Sequence, residues 1–330
     1  MSVQKEKSIG KTSGIMASVV ILTCNHERYI SEAITSVLDQ ETDFDFEVLI
    51  GDDASEDDTL KIVKDFQRRY PSIIRIVEHS ENVGASRNAY DTMKVSRGKY
   101  LASCEGDDYW IYRKKLQEQV DFLEANTRYV GCVHPVEMVD INGVPVPHDR
   151  ISWISGKQTF TLKDFRGIIL PGHSASLVRR NLFLEPDFDP TIIYEAEHHI
   201  ADRTQILIWL TRGDFYQMDR KMACHRVVKH GKNLTSTLYF DNKDRIRRDY
   251  EYTLRLERYA KEELNIDAGF DYHKRELFTK ALVLHAIHPK IYDLSVARDI
   301  LDNAEDKAWY WKGIIPVAAE RIAQKTGLRK

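Results

Sequence analysis

No stretch of this 330-residue chain approaches the ~20 uninterrupted apolar residues that a membrane-crossing helix requires. The first 14 residues are polar and lysine-rich and lack the apolar centre of a signal peptide. These absences point to a cytoplasmic protein and leave open a peripheral contact at the inner face of the membrane. Cysteine is scarce: Cys24, Cys104, Cys132 and Cys224 lie far apart, with no C-x-x-C pair. That spacing argues against a cysteine zinc site and a disulfide scaffold, and it suits a reducing compartment. Net charge is only -3, so nothing in the overall field favours nucleic acid as a partner. Both G-x-G-x-x-G and G-x-x-x-x-G-K are missing. A bound nucleotide must therefore be held by acidic and polar side chains. There is no internal repeat and no low-complexity linker.

What is present is a globular composition, 42% hydrophobic and 30% charged, with ordered alternation in its first third. Ser18–Leu22 and Glu47–Gly51 are short, β-branched runs of the kind buried in parallel sheets. Ile73–Val77 and Tyr100–Cys104 are two more. Between them, apolar residues recur at helical spacing: Ile30, Ala33, Ile34 and Val37, then Leu60, Val63 and Phe66. A third helix is expected from Ala85 to Ser96. This βαβαβαβ order predicts an α/β fold with a doubly wound, mostly parallel sheet. Further on, Gly131–Val139 reads as a strand, Gly143–Pro147 as a turn with an edge segment, and Pro171–Val178 as a loop feeding a strand. Ile206–Leu210 reads as helix, Phe215–Met218 as the final strand, and the chain from about Asp241 as charged helix.

Each strand runs into a polar loop. The loops carry Thr23, Asn25 and Glu27; then Asp52, Asp53 and Asp57; then Glu105, Asp107 and Asp108. Ligands of open α/β sheets bind at the carboxyl ends of strands. Clustered carboxylates repel one another, and a divalent cation bridging to phosphate offsets that repulsion. Helix capping is the alternative use of such residues, and it suits Asp57 and Asp58, which lead into a helix. For Asp53 and Asp107 the convergence of the loops on one edge favours a ligand.

The segments VVILTCNHERYI, VLIGDDASEDDT, NVGASRN and GKYLASCEGDDYW, taken in that order, resemble the nucleotide-sugar-binding half of family-2 inverting glycosyltransferases with a GT-A fold. The likeness is specific over Val19 to Asp108 and weaker to about residue 231. It implies a polar tail over 1–14, a nucleotide-sugar-binding half over 15–130 and an acceptor-binding and catalytic half over 131–235. A helical C-terminal region over 236–330 lies outside it. It also implies a sugar donor activated as a nucleoside diphosphate, with UDP the family-weighted choice. Mn2+ or Mg2+ would be the cofactor, and a saccharide or lipid-linked saccharide the acceptor, in surface polysaccharide or glycolipid synthesis. By the resemblance, Asp53 accepts from the nucleobase, and Thr23, Asn25 and Glu27 belong to the same pocket. Arg87 stands near base or phosphate, or else in a surface ion pair. Glu105-Gly106-Asp107 matches the family's DxD motif with glutamate in its first place. Asp107 is then the metal ligand expected first and Glu105 its partner.

An inverting transfer needs a carboxylate to take the acceptor's proton. Asp202, ahead of a helical run, matches the family's residue in that role, with Glu197 as runner-up and an N-cap as the structural alternative for Asp202. His225, Arg226 and His230 are placed on the diphosphate side, in a basic segment after the last expected strand. Trp110 and His173 are weaker candidates to line the acceptor site, and a core role suits Trp110 as well. Trp309–Pro316, with its basic tail, suits either a membrane surface or packing back onto the catalytic domain. A sugar-nucleotide nucleotidyltransferase and a non-catalytic nucleotide-sugar-binding module are the rival functions.

Overall fold

The computed structural model describes residues 14–146, 154–227 and 244–312. The chain divides into two units: Met1–Asp164 with Ile169–Val228, and Phe165–Ile168 with Lys229–Lys330.

The first unit is built on four parallel strands: β1 (Ala17–Thr23), β2 (Phe46–Asp52), β3 (Ile74–Glu78) and β4 (Tyr100–Glu105). Helices α1 (Ile30–Leu38), α2 (Thr59–Arg69) and α3 (Ala85–Lys94) connect them. Almost every residue of β1 and β2 is buried, which is why these strands are continuous apolar runs rather than alternating ones. The order β3-β2-β1-β4 reverses the direction of strand addition between β1 and β4. A crevice opens at such a switch point outside the carboxyl ends of the strands.

The same sheet continues as β9-β6-β10-β8, formed by β6 (Tyr129–Val133), β8 (Thr159–Phe160), β9 (Val178–Arg180) and β10 (Asp214–Gln217). Strand β9 runs antiparallel to both β4 and β6. Helices α4 (Lys115–Ala125), α5 (Leu162–Phe165), α6 (Ile192–Glu195) and α7 (Asp202–Leu210) complete the connections. The stretch expected as one strand over Gly131–Val139 is two, β6 and β7 (Val136–Val139), lying in different sheets. Pro135, between them, has no N–H to give a ladder. A small sheet of order β5-β11-β7 sits beyond the main one, with β5 (Tyr109–Trp110) and β11 (Ala223–Arg226). Strand β11 corrects the expectation that Met218 ends the last strand and that Cys224–Arg226 is loop.

The second unit has its own core. Helices α8 (Arg245–Glu262), α9 (Phe270–Ile287), α10 (Ser295–Asp302) and α11 (Lys307–Lys312) bury Ile246, Tyr250, Leu277, Phe278, Ile300 and Tyr310 together. Of the aromatic run expected to meet a membrane or the catalytic domain, Tyr310 is buried and Trp309 packs against the core of this unit, while Trp311 is exposed. Trp309 lies edge-on to Tyr272, Tyr310 edge-on to Phe278, and the Arg275 guanidinium stands 3.8 Å from the Trp309 ring. Gly313–Pro316 lies outside the described residues. No helix among the described residues is long and apolar enough to cross a membrane.

Candidate active site

Parallel pairing aligns the strand ends: Thr23 is opposite Asp52, and Leu22 is opposite Glu105. The backbone then ties the loops to one another, with Asp53 N–H donating to the Thr23 carbonyl (3.0 Å) and Gly106 N–H to that of Leu22 (2.8 Å). Asn25 adopts a left-handed conformation (φ 57°) that asparagine tolerates. Its side-chain oxygen accepts from Glu56 N–H at 2.7 Å, and Glu27 accepts from Asp58 N–H at 3.1 Å. Asp57, expected as a cap, accepts from Thr59 N–H at 2.9 Å. Asn25 and Glu27 therefore lock the first loop to the second.

Asp53 is 4% exposed, and both of its carboxylate oxygens accept from backbone: Val83 N–H at 2.7 Å and Gly84 N–H at 3.1 Å. It orders the loop ahead of α3, where Gly84 takes a φ of +86° that suits glycine alone. Arg87, on α3, bonds Asp91 at 2.8 Å and lies 4.4 Å from the Tyr194 ring, which is the ion-pair placement.

The acidic loop follows β4. Gly106 is pressed so closely that a Cβ there would fall 2.6 Å from His26 Nδ1 and 2.9 Å from Thr23 Oγ1. Those two atoms are buried without a hydrogen-bond partner, an unusual condition that a ligand at this point would relieve. Burial raises the Glu105 carboxyl to about 8, and the charges of Asp202, Asp108 and Asp107 push the same way. Asp107 is likewise raised, first by burial and then by Asp108, while His26 and His225 oppose the rise.

Asp108 is drawn furthest into the protein and is 1% exposed. Strand β11 pairs with β5 so that Cys224 faces Tyr109, which sets His225 and Arg226 beside the acidic loop. Asp108 accepts from Arg226 N–H at 2.9 Å, and its other near neighbours are His225 Nδ1 at 3.1 Å and His173 Nδ1 at 3.8 Å. Burial is the largest influence on the Asp108 carboxyl and raises it, but the charge and hydrogen bond of His225, the charge of His173 and the Arg226 N–H together overcome it and hold the group low. Asp108 in turn raises His225 against the pull of burial, whereas burial and His225 depress His173 to about 3. His173 caps a 3-10 turn by accepting from Ala175 N–H, and its ring centre lies 3.9 Å from that of His225.

Ligand atoms of Asp108, His173 and His225 all lie within 4.8 Å of one another, a grouping able to hold a metal ion. A carboxylate with two imidazoles, bordered by Asp107 and Glu105, is a chemically fitting donor set for a divalent cation.

Asp202 opens α7, with Ala201 in the cap position, so Asp202 does not cap the helix. The residue is exposed, and desolvation by the surrounding protein pushes its carboxyl upward while Arg179 pulls it down. Asp202 and Glu105 line one cavity. Glu197 does not join them: it is 6% exposed and accepts from His199 N–H at 2.6 Å and Ile200 N–H at 2.7 Å.

Other candidates have different work. Trp110 is 5% exposed, and its Nε1–H donates to the Ala175 carbonyl at 3.1 Å, so it belongs to the core and not to an acceptor surface. Arg226 is committed to the protein. Its guanidinium bonds the carbonyls of Asp107 (2.9 Å), Asp140 (3.3 Å) and Ile141 (3.2 Å) and the Glu32 carboxylate (2.7 Å). It clamps the acidic loop from behind instead of facing a diphosphate. His230 lies outside the described residues. Motif reading passed over His26, Asp108 as a ligand, and Arg179. For the last, the sequence offered little signal, since Arg179 is followed directly by Arg180 in the short strand Val178–Arg180.

A doubly wound sheet with an acidic loop at its switch point defines a GT-A-like nucleotide-sugar enzyme fold. The family profile described as "Glycosyl transferase family 2" matches residues 18–185, and the chain belongs to that family. An uncharacterized protein of Mycobacterium tuberculosis is 40% identical over 126 residues, which are 38% of this chain and 36% of that protein. The putative glycosyltransferase EpsE of Bacillus subtilis is 32% identical over 117 residues, 36% of this chain and 41% of the relative. The aligned region thus spans well under half the length of these relatives. Among solved structures, S. aureus TarS 1-349 in complex with UDP superposes with a TM-score of 0.51 at 18% identity, covering 91% of this chain and 92% of that one. GalNAc-T7 with UDP, GalNAc and Mn2+ superposes with a TM-score of 0.57 at 12% identity, covering 95% and 58%. At these identities the likeness establishes the fold.

Proposed function

We propose that this protein is a metal-dependent, inverting glycosyltransferase. It moves a hexosyl or N-acetylhexosaminyl group from a nucleoside diphosphate sugar, UDP first, to a hydroxyl of a saccharide or lipid-linked saccharide during surface polysaccharide or glycolipid synthesis. The observation that carries this reading is the meeting of Asp202 and Glu105 in one cavity, where β4 ends in the acidic loop.

The roles follow from position. Thr23, Asp53 and the loop that Asp53 orders form the nucleotide side, with Asn25 and Glu27 holding the adjoining loops in register. Asp108, His173 and His225 would hold the cation, with Asp107 and Glu105 alongside. Two imidazoles favour Mn2+ over Mg2+, which prefers an all-oxygen shell. When bound, the metal would neutralise charge on the departing diphosphate. Asp202 would accept the proton of the attacking hydroxyl, and desolvation by the surrounding protein raises its carboxyl, the direction that suits a general base.

The test is donor turnover and thermal shift across a panel of nucleotide sugars with and without Mn2+. Stabilisation by a nucleoside diphosphate that requires Mn2+ is expected. Asp202→Asn should keep that stabilisation and lose roughly 10²–10⁴-fold in turnover. Undiminished turnover in Asp202→Asn removes Asp202 as the base, and no response to any nucleoside diphosphate sinks the whole reading.

A further inference from the structure

Arg179 is 1% exposed at the middle of the sheet, on β9 between β4 and β6. Its Nη2 donates to the Gln205 side-chain oxygen and reaches Met93 Sδ at 3.1 Å. The guanidinium lies 4.0 Å from the Trp209 ring centre. Its Nε and Nη1 have no hydrogen-bond partner. No carboxylate lies within ion-pairing distance of it among the described residues, and Asp202 acts on it only from further off. A buried cation with unused donors is costly, and native interiors rarely leave such donors unmet. Packing alone does not account for it, since Leu or Met would fill the same place against Trp209 without that cost.

Arg179 is among the residues lining the cavity that Glu105 and Asp202 share. The space is about 50 Å³, too small for a pyranose ring and large enough for one substituent of it. Its chemistry is mixed. Arg179 offers only donors, Glu105 and Asp202 offer acceptors, and Val20, Met93 and Leu177 form an apolar side. An anionic substituent would meet the Asp202 carboxylate as well as the arginine, and a cationic one would meet the arginine. A neutral group that both donates and accepts satisfies every side.

We propose that Arg179 is a specificity-determining residue for the donor: its free Nε–H and Nη1–H groups hold a neutral hydroxyl or acetamido oxygen of the transferred sugar in this cavity. The inference rests on the glycosyltransferase reading above and adds the substituent class and the residue that recognises it. Arg179 thereby reads the sugar and not the nucleotide, whose pocket lies along the ends of β1 and β2.

The experiment measures binding of UDP, UDP-glucose, UDP-N-acetylglucosamine and UDP-glucuronic acid, with Mn2+, to the full chain and to Arg179→Met and Arg179→Lys. Wild type should bind one of the neutral UDP-sugars more tightly than UDP, and UDP-glucuronic acid no more tightly than UDP. Arg179→Met should keep UDP affinity within about twofold and lose about ten- to a hundredfold toward the preferred UDP-sugar. Arg179→Lys retains the charge and one donor group and should fall between; it carries the test if the methionine variant does not fold. Equal losses toward UDP and UDP-sugar, or no loss toward the sugar, overturn the assignment of Arg179 while leaving the enzyme reading intact. Preference for UDP-glucuronic acid overturns the neutral-substituent claim. Failure of wild type to bind any of the four overturns UDP as the donor nucleotide, and this inference with it.

Discussion

Asp53→Asn separates two uses of one carboxylate. In the ligand-free protein, Asp53 accepts from Val83 N–H at 2.7 Å and Gly84 N–H at 3.1 Å while only 4% exposed. Asparagine has nearly the same shape, but it keeps one acceptor and turns a donor toward the second amide. Hydrogen bonds to charged groups contribute about 1.5–3 kcal/mol, and an orphaned buried donor costs about 1–3 kcal/mol. Relaxation of the loop recovers part of this, so a loss of about 2–4 kcal/mol is expected. For a unit of this size each kcal/mol is worth roughly 2–4 °C, which places the fall in Tm at about 4–16 °C. The assay is thermal unfolding without nucleotide, followed by UDP titration of the folded variant. A substantial fall in Tm without ligand is the mark of the loop-ordering role, and weaker UDP binding should accompany it because residues 82–84 lose their anchor. If Tm moves by less than about 1 °C while UDP affinity collapses, the carboxylate serves the ligand alone and the reasoning here is refuted.

Three further outcomes follow from the same geometry. Gly106→Ala forces a Cβ to within 2.6 Å of His26 Nδ1 and 3.0 Å of the Leu22 carbonyl, so a loss of about 1–3 kcal/mol is expected in denaturant unfolding; an unchanged midpoint would mean the loop has slack. Glu105 is raised from 4.5 to about 8, so between those values the folded metal-free protein binds more protons than the unfolded chain and its stability falls as pH rises. His225, also raised, adds to the fall above its usual 6.5, while Asp108 acts only in acid below 3.8. The depressed His173 and His134 oppose this below 6.5 and the depressed Lys115 opposes it above about 7, so the test is the difference: Glu105→Gln should make the change in Tm from pH 5 to pH 8 less negative than in wild type, and an identical slope in the variant contradicts the assignment. Lys115 is fully buried with no hydrogen-bond partner at Nζ, and burial lowers it to about 7. Lys115→Met should therefore be neutral or stabilising by up to about 4 kcal/mol at pH 7, less the ammonium's contact with the Trp110 ring at 4.0 Å, and marked destabilisation would count against this.

The elements legible in the sequence are those specified by neighbouring residues. Buried parallel strands are continuous apolar runs, so β1 to β4 stand out within one or two residues of their ends. Their helices show through the spacing of Ile30, Ile34 and Val37 or Val63 and Phe66, all buried as that spacing requires. Parallel order then forces the polar loops to one edge. For this reason Thr23, Asp53, Glu105 and Asp107 could be grouped without knowing any contact between them. Shorter strands were less legible. Residues 131–139 have one apolar pattern but two pairing partners, because Pro135 interrupts the ladder. Residues 223–226 are too few and too polar for periodicity to mark them as a strand.

What the amino-acid order determined by itself is the first half of the sheet and an acidic loop at the end of its fourth strand. Tertiary structure decided which side chains work there. Asp108 meets His173 and His225 across separations of 65 and 117 residues only because β11 pairs with β5 and the 3-10 turn at Ser174 packs alongside. The same pairing turns Arg226 into a clamp on the Asp107 carbonyl, a role its charge did not suggest. Trp110 and Arg179 were decided by burial, one closed into the core and the other left with free donors beside Glu105 and Asp202. Hydrophobic period is a local property written into consecutive residues. Strand register and the satisfaction of buried polar groups are properties of the whole packed chain, and they exist only once it has folded.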